Sequence, residues 1–246
     1  MSSAKPLDSS RTYGNNPDLT LVCADEKSFQ VHTYMLTAAS SVFRDMISTC
    51  LATSTDQHVK LQLSDEHIEK SDVMRLFLDI IYGKSLRGPI LREDFSDYDK
   101  LTQLILKYDA PYALQHMKTS LRLWFMQDSY RADDYFIFAC TIDDIDLAKT
   151  VICSGPFQGF STQLSAPNIR CISANKLLVS RHIMDLGSWE YSRFRRVPDD
   201  YKFAYFRAER EASQSENGTS VSDYRDMARR FASIMAEIRG GTFPPG

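Results

Sequence analysis

Residues 18–46 read DLTLVCADEKSFQVHTYMLTAASSVFRDM. Leu19, Leu21 and Cys23 alternate with Thr20 and Val22, a period of two that predicts a strand with at least one buried face. Asp25-Glu-Lys-Ser28 is polar and turn-like, and Phe29 and Val31 continue as a second strand ending on His32. From Leu36 the period changes. Leu36, Ala39, Ser40, Phe43 and Met46 fall at helical spacing, which predicts a helical pair directly behind a hairpin.

Outward from this stretch the same two periods recur. His58-Val-Lys-Leu-Gln-Leu63 alternates strictly, with Val59, Leu61 and Leu63 on one face, and predicts a third strand. Val73, Leu76, Phe77, Ile80 and Ile81 form a single helical stripe, and Gly83 supplies the left-handed residue that stops such a helix. Residues 84–96, with Gly88 and Pro89, read as a loop. Leu101, Leu104, Ile105 and Tyr108 mark another helix, which Pro111 interrupts, and Leu114, Met117, Leu121, Trp124 and Phe125 mark the next. Strand and helix runs separate rather than alternate, so the fold class is α+β, a small sheet covered by helices.

The second half reads as all-helical. Tyr135, Phe136 and Ala139 follow the acidic start Asp133-Asp134, and Ile145, Ala148 and Ile152 follow Asp143-Asp144, negative charge suiting a helix N-terminus. Residues 154–170 read as loop. Ala174, Leu177, Leu178, Ile183 and Met184 suggest a helix closed by Gly187. A polar loop is expected near 211–219. Ser220 and Asp223 then have capping-box spacing ahead of a stripe made of Val221, Tyr224, Ala228, Phe231, Met235 and Ile238. That stripe is expected to pack within the chain, with docking of a partner helix as the other use.

Composition excludes several classes. Apolar residues make up 43% and the formal net charge is −3, so no global basic field exists to hold nucleic acid or an anionic membrane. The five cysteines, Cys23, Cys50, Cys140, Cys153 and Cys171, are widely spaced without a C-x-x-C pair and read as reduced and structural. The N-terminus has no apolar signal core, and no run approaches the roughly 18 apolar residues of a membrane helix. Asn217-Gly-Thr219 matches a glycosylation sequon, expected to go unused without a secretory signal. The histidines share no metal spacing with any cysteine, and neither a Gly-rich phosphate loop nor a nucleophile elbow occurs. Arg193, Arg195 and Arg196 lie beside Tyr191 and Phe194, but Asp185, Glu190, Asp199 and Asp200 flank them, which favours a salt-bridged solvated face over nucleic acid. No cofactor, metal or catalytic constellation is expected.

The ordered set Asp18, Leu21, Phe29, Val31, His32, Leu36, Ala39, Ser40, Phe43, Met46, the 59–63 strand, Phe77 to Gly83, Leu104, Lys107-Tyr108 and Leu121 resembles a BTB/POZ domain over residues 17–126. Residues 1–16 are then a flexible lead, and 127–246 a helical extension resembling that of BTB proteins expanded in fungi. The resemblance implies a non-catalytic, intracellular protein-interaction module of the cytoplasm or nucleus. One implied role is substrate adaptor for a cullin-type ubiquitin ligase. The other is a transcriptional regulator, a corepressor-recruiting scaffold that acts through other DNA-binding proteins. It also implies sites. Asp18 matches an acid that supports dimers, while the basic partner expected after His32 is here Thr33. The apolar-x-acid triplet of cullin-binding members falls by length on Leu51-Ala52-Thr53, in the loop after a helix over Phe43–Ile47, with the acid missing. A weak dimer or a monomer and a doubtful cullin contact are therefore expected, with His32 a packed, hydrogen-bonded residue near Asp18.

Overall fold

Strand β2 (Leu19–Val22) buries Leu19 and Leu21 and turns back through Cys23–Lys27 into β3 (Ser28–Val31), which buries Phe29 and Val31. The turn closes by Cys23 N–H donating to the Lys27 carbonyl at 2.8 Å, with Glu26 in the left-handed region at φ 64°. Strand β4 (Val59–Gln62) runs parallel to β2, Val59 and Leu61 inward and Lys60 and Gln62 outward. A further strand, β1 (Ser10–Thr12), pairs parallel with β3 and gives the sheet order β1-β3-β2-β4. The computed structural model describes residues 10–53, 59–89, 94–127, 131–154, 184–213 and 222–240. Residues 155–170 of the loop expected over 154–170, residues 174–183 of the helix expected over 174–184, residues 214–219 of the loop expected over 211–219, with its sequon, and His58, Cys171, Ser220 and Val221 lie outside them. The chain divides into two compact units, Met1–Ser120 and Leu121–Gly246.

In the first unit the helical pair is α1 (Thr33–Ala39) and α2 (Ser41–Thr53). Ser40 sits between them in extended geometry, φ −144° and ψ 128°. Its hydroxyl accepts from Phe43 N–H at 3.0 Å, capping α2, and donates to the Tyr108 carbonyl. Helix α3 (Ser71–Ile81) buries Val73, Met74, Phe77, Leu78, Ile80 and Ile81. It stops as Gly83 predicts: Gly83 N–H donates to Ile80 O and Lys84 N–H to Asp79 O, with Gly83 at φ 69°. Helix α4 (Asp94–Lys107) begins inside the expected loop, and α5 (Pro111–Gln127) starts on its proline, where a missing N–H costs nothing.

Two helix ends use the same closing pattern without glycine. Asp109 (φ 45°) ends α4 and Asp143 (φ 50°) ends α6 (Ala132–Thr141). Each carboxylate has a partner that offsets the left-handed strain. Ser41 Oγ donates to Asp109 at 2.5 Å, and Tyr201 Oη donates to Asp143 at 2.9 Å. Asp143 thus closes one helix, whereas its neighbour Asp144 opens α7 (Ile145–Ser154) by accepting from Leu147 N–H at 3.0 Å.

The second unit continues through a short 3-10 turn (Leu186–Ser188), α8 (Tyr191–Phe194), α9 (Asp199–Ser213) and α10 (Ser222–Ile238). Its core is aromatic: Tyr135, Phe136, Tyr201, Tyr205 and Phe231 are buried, and the Phe136 ring lies 5.8 Å from Tyr205 and 6.2 Å from Phe231. Arginine ties the periphery. Arg122 reaches both Asp144 oxygens at 2.7 and 2.9 Å, Arg193 reaches Asp133 at 2.7 Å and Asp134 at 2.5 Å, and Arg239 joins Asp143 to Asp200, both at 2.7 Å.

Three expectations are corrected. Residues 10–16 are not a loose lead. β1 takes an edge of the sheet, and the Tyr13 ring is buried with its hydroxyl donating to Asp79 at 2.8 Å. Helix α9 has no counterpart in the sequence reading, and its last turn occupies 211–213 of the expected polar loop. Its inner face, Tyr201, Ala204, Tyr205, Ala208 and Ala212, has helical spacing, but alanines and tyrosines make a faint apolar signal. Finally, Leu51-Ala52-Thr53 is the last turn of α2 rather than part of a loop.

Candidate functional site

The start of α1 gathers the residues that the sequence singled out around His32. The Asp18 carboxylate accepts from Thr33 N–H at 2.7 Å. The acid therefore has a partner, but it is the backbone at the head of a helix, not a cationic side chain. His32 uses both ring nitrogens elsewhere: Nε2 lies 2.8 Å from the Asn15 carbonyl and Nδ1 2.9 Å from the Tyr82 hydroxyl. A carbonyl only accepts, so Nε2 carries the ring proton and Nδ1 accepts from Tyr82. The Tyr82 oxygen in turn accepts from His32 N–H at 2.9 Å, so both ring nitrogens of His32, its N–H and the Tyr82 hydroxyl are engaged. Burial raises the Tyr82 pKa, which keeps the hydroxyl protonated for this donation.

Gly14 fixes the last wall. It sits at φ 74°, and a Cβ there would stand 2.7 Å from His32 Cε1. His32 is thus a positioning element with no spare lone pair, which removes it as a general base or metal ligand in this arrangement. Sequence reasoning missed Tyr82, Asn15 and Gly14, because none is at a spacing that reports a contact with residue 32.

A second polar cluster centres on Glu69. Glu69, 3% exposed, accepts from Ser64 N–H at 2.9 Å and Asp65 N–H at 2.8 Å on one oxygen. Its other oxygen takes the Tyr108 hydroxyl and Lys107 Nζ, each at 2.7 Å. Burial alone would raise the Glu69 pKa, but these four donors outweigh it and hold the carboxyl below its usual range. The same balance lowers Asp25, where desolvation is outweighed by Ser71 and Lys27. Cys23 beside them is buried, and burial, with Asp25 and Glu69 adding to it, pushes its thiol up to about 12, so it is no nucleophile at neutral pH.

Among the described residues no group of three or more His, Cys, Asp or Glu could hold a metal ion, and no helix is long and apolar enough to cross a membrane. A cleft of about 420 Å³ between α3 and α4 is lined by Arg75, Asp79, Arg87, Asp97 and Tyr98, its charges of both signs. What the first unit offers to the outside is surface. Tyr34 on α1 is 62% exposed and Leu51 at the end of α2 is 50% exposed, with Ala52 exposed beside it.

In the second unit the stripe on α10 is largely spent. Ala228, Phe231 and Met235 are buried, and α10 packs on α7 and α9; Tyr224 is half-buried and Ile238 exposed. Three of its residues therefore have no open face to offer a partner helix. Asp133 and Asp134, read as a helix start, also hold Arg193, whose guanidinium lies over the Trp189 ring at 5.9 Å.

The family model of the BTB/POZ domain matches residues 7–123. The chain carries a BTB/POZ domain. The match begins ahead of β1, takes in the whole sheet and the helices α1 to α4, and ends inside α5. No curated protein matches the chain. BTB/POZ domains are protein-interaction modules and generally not enzymes. The helical second unit lies almost wholly beyond the match.

Proposed function

We propose that this chain is a non-catalytic adaptor of the cytoplasm or nucleus, whose BTB/POZ domain works by burying surface against other proteins. The observation that carries the reading is the family match, joined to Tyr34 and Leu51, large apolar side chains held open on rigid helices. The adaptor role toward a cullin-type ubiquitin ligase places the contact at the end of α2. Leu51 and Ala52 present the apolar part there, while Thr53 lacks the carboxylate that the resemblance calls for. Direct cullin binding is therefore weak, and self-association through Asp18 and Thr33 is weak as well.

The test is titration of a cullin N-terminal region with the full chain. Affinity weaker than about 1 μM, improved about tenfold or more by Thr53→Glu, is the expected result. Tight binding by the natural sequence, or no gain from the added acid, removes this placement of the contact. Affinity purification that recovers corepressors without ubiquitin-ligase subunits would favour the transcriptional scaffold instead.

A further inference from the structure

Helix α9 is buried on one side and unusually aromatic on the other. Phe203, Phe206, Arg207 and Arg210 follow one another at steps of three, one and three, a single outward face. Phe203 is 55% exposed and Phe206 38%. With Glu211 these side chains line a groove of about 610 Å³. The Phe194 ring, 6.2 Å from Phe206 and under Lys202 Nζ at 4.8 Å, extends the aromatic surface towards α8. Two neighbouring phenylalanines left in water cost hydrophobic free energy, which only an occupant recovers.

The charges say what kind of occupant. Glu211 is already committed, accepting from Arg207 Nε at 2.9 Å and facing Arg230 at 3.5 Å. Among the described residues no acid pairs with Arg210, which stands exposed at the groove wall. The groove thus has one cation in excess beside an apolar floor. A nucleic-acid strand suits it poorly: Glu211 sits in the lining, Asp199 at the head of the helix is 98% exposed, and the chain carries net charge −3. The volume fits a few side chains rather than the face of a folded domain.

We propose that the outer face of α9 docks a peptide segment of a partner protein, one that sets apolar side chains on Phe203 and Phe206 and a carboxylate on Arg210. This gives the second unit a binding surface of its own, independent of the BTB/POZ contacts, so the cullin titration and this assay fail separately.

Fluorescence anisotropy with the full chain tests it. The probe is a fluorescein-labelled amphipathic peptide with leucines along one helical face and glutamates between them. A version with lysine for glutamate, a version with serine for leucine and a labelled single-stranded oligonucleotide serve as controls. The glutamate peptide is expected to bind at about 10–100 μM and at least about tenfold more tightly than any control. Combined Phe203→Ser and Phe206→Ser, both at exposed positions, should weaken it about tenfold or more with an unchanged thermal melt. Arg210→Glu should weaken the glutamate peptide and strengthen the lysine one, a reversal that loss of fold cannot mimic. Absence of saturable binding, equal binding of the lysine peptide, tighter binding of the oligonucleotide, or indifference to these substitutions would each overturn the proposal.

Discussion

Each of the two units has its own kind of interior. In the first, buried and half-buried polar groups join residues far apart in sequence: Glu69 to Tyr108, Ser40 to Tyr108, Asp25 to Ser71, and His32 to Tyr82. In the second, the centre is a cluster of aromatic rings, and ion pairs such as those of Arg122, Arg193 and Arg239 sit at its edge. A hydrogen bond works only at one distance and angle, so polar links fix the relative placement of sheet and helices. Aromatic packing needs volume and tolerates small shifts. The unit that matches a known domain is the geometrically constrained one.

Four measurements break or sharpen that contrast. The largest effect is expected at Phe231, fully buried among Phe136 and Tyr201. Phe231→Ala should cost about 3–5 kcal/mol in urea unfolding, yet Phe231→Leu only about 1–1.5 kcal/mol, because volume is nearly kept. Equal losses for both would show that the aromatic core is as exacting as the polar one.

Glu69 provides the opposite case. Gln is nearly the same shape, but it cannot accept from two N–H groups on one side and from Lys107 on the other. Glu69→Gln should cost about 2 kcal/mol despite the conserved volume. Its pH signature is distinct. The folded carboxyl titrates below its ordinary value of 4.5, so the unfolded chain takes up the proton first as acid is added. The stabilisation is complete above pH 4.5 and is lost as pH falls from there through the folded value. The gap between natural protein and Glu69→Gln should accordingly narrow below pH 4.5, as followed by denaturation at stepped pH. A gap that stays constant would mean that the charged form is not what the network holds.

Gly14→Ala should be next, at about 1–3 kcal/mol, since it combines a positive φ with a 2.7 Å approach to His32. An unchanged melting temperature would place the β1 segment outside the cooperative core. The smallest effect belongs to Tyr82→Phe, which leaves His32 Nδ1 and the His32 N–H without their shared partner. About 1–2 kcal/mol is expected, together with a changed His32 imidazole proton shift in NMR. If the histidine spectrum does not move, the tautomer assigned from these bonds is wrong.

Local period made much of the first unit legible. The alternation at Leu19–Cys23 and Val59–Leu63 and the Val73–Ile81 stripe fall where strands and a helix form, and Gly83 stops α3 as a left-handed residue should. The reason is that an element's own geometry repeats every two or 3.6 residues, so a few neighbours suffice to declare it. What lacked a period stayed hidden. Ser10–Thr12 is too short to alternate and becomes a strand only because β3 offers an edge. Asp109 and Asp143 look like any acids, and their left-handed turns are supported by Ser41, Tyr201 and Arg239, residues 58 to 96 positions away. The partner of Asp18 is a backbone N–H that no side-chain identity encodes. Which polar groups are buried, and which apolar ones stay exposed on α1, α2 and α9, depends on what lies across the fold from them. The sequence by itself determined the elements; only their packing decided which faces were closed and which were left exposed.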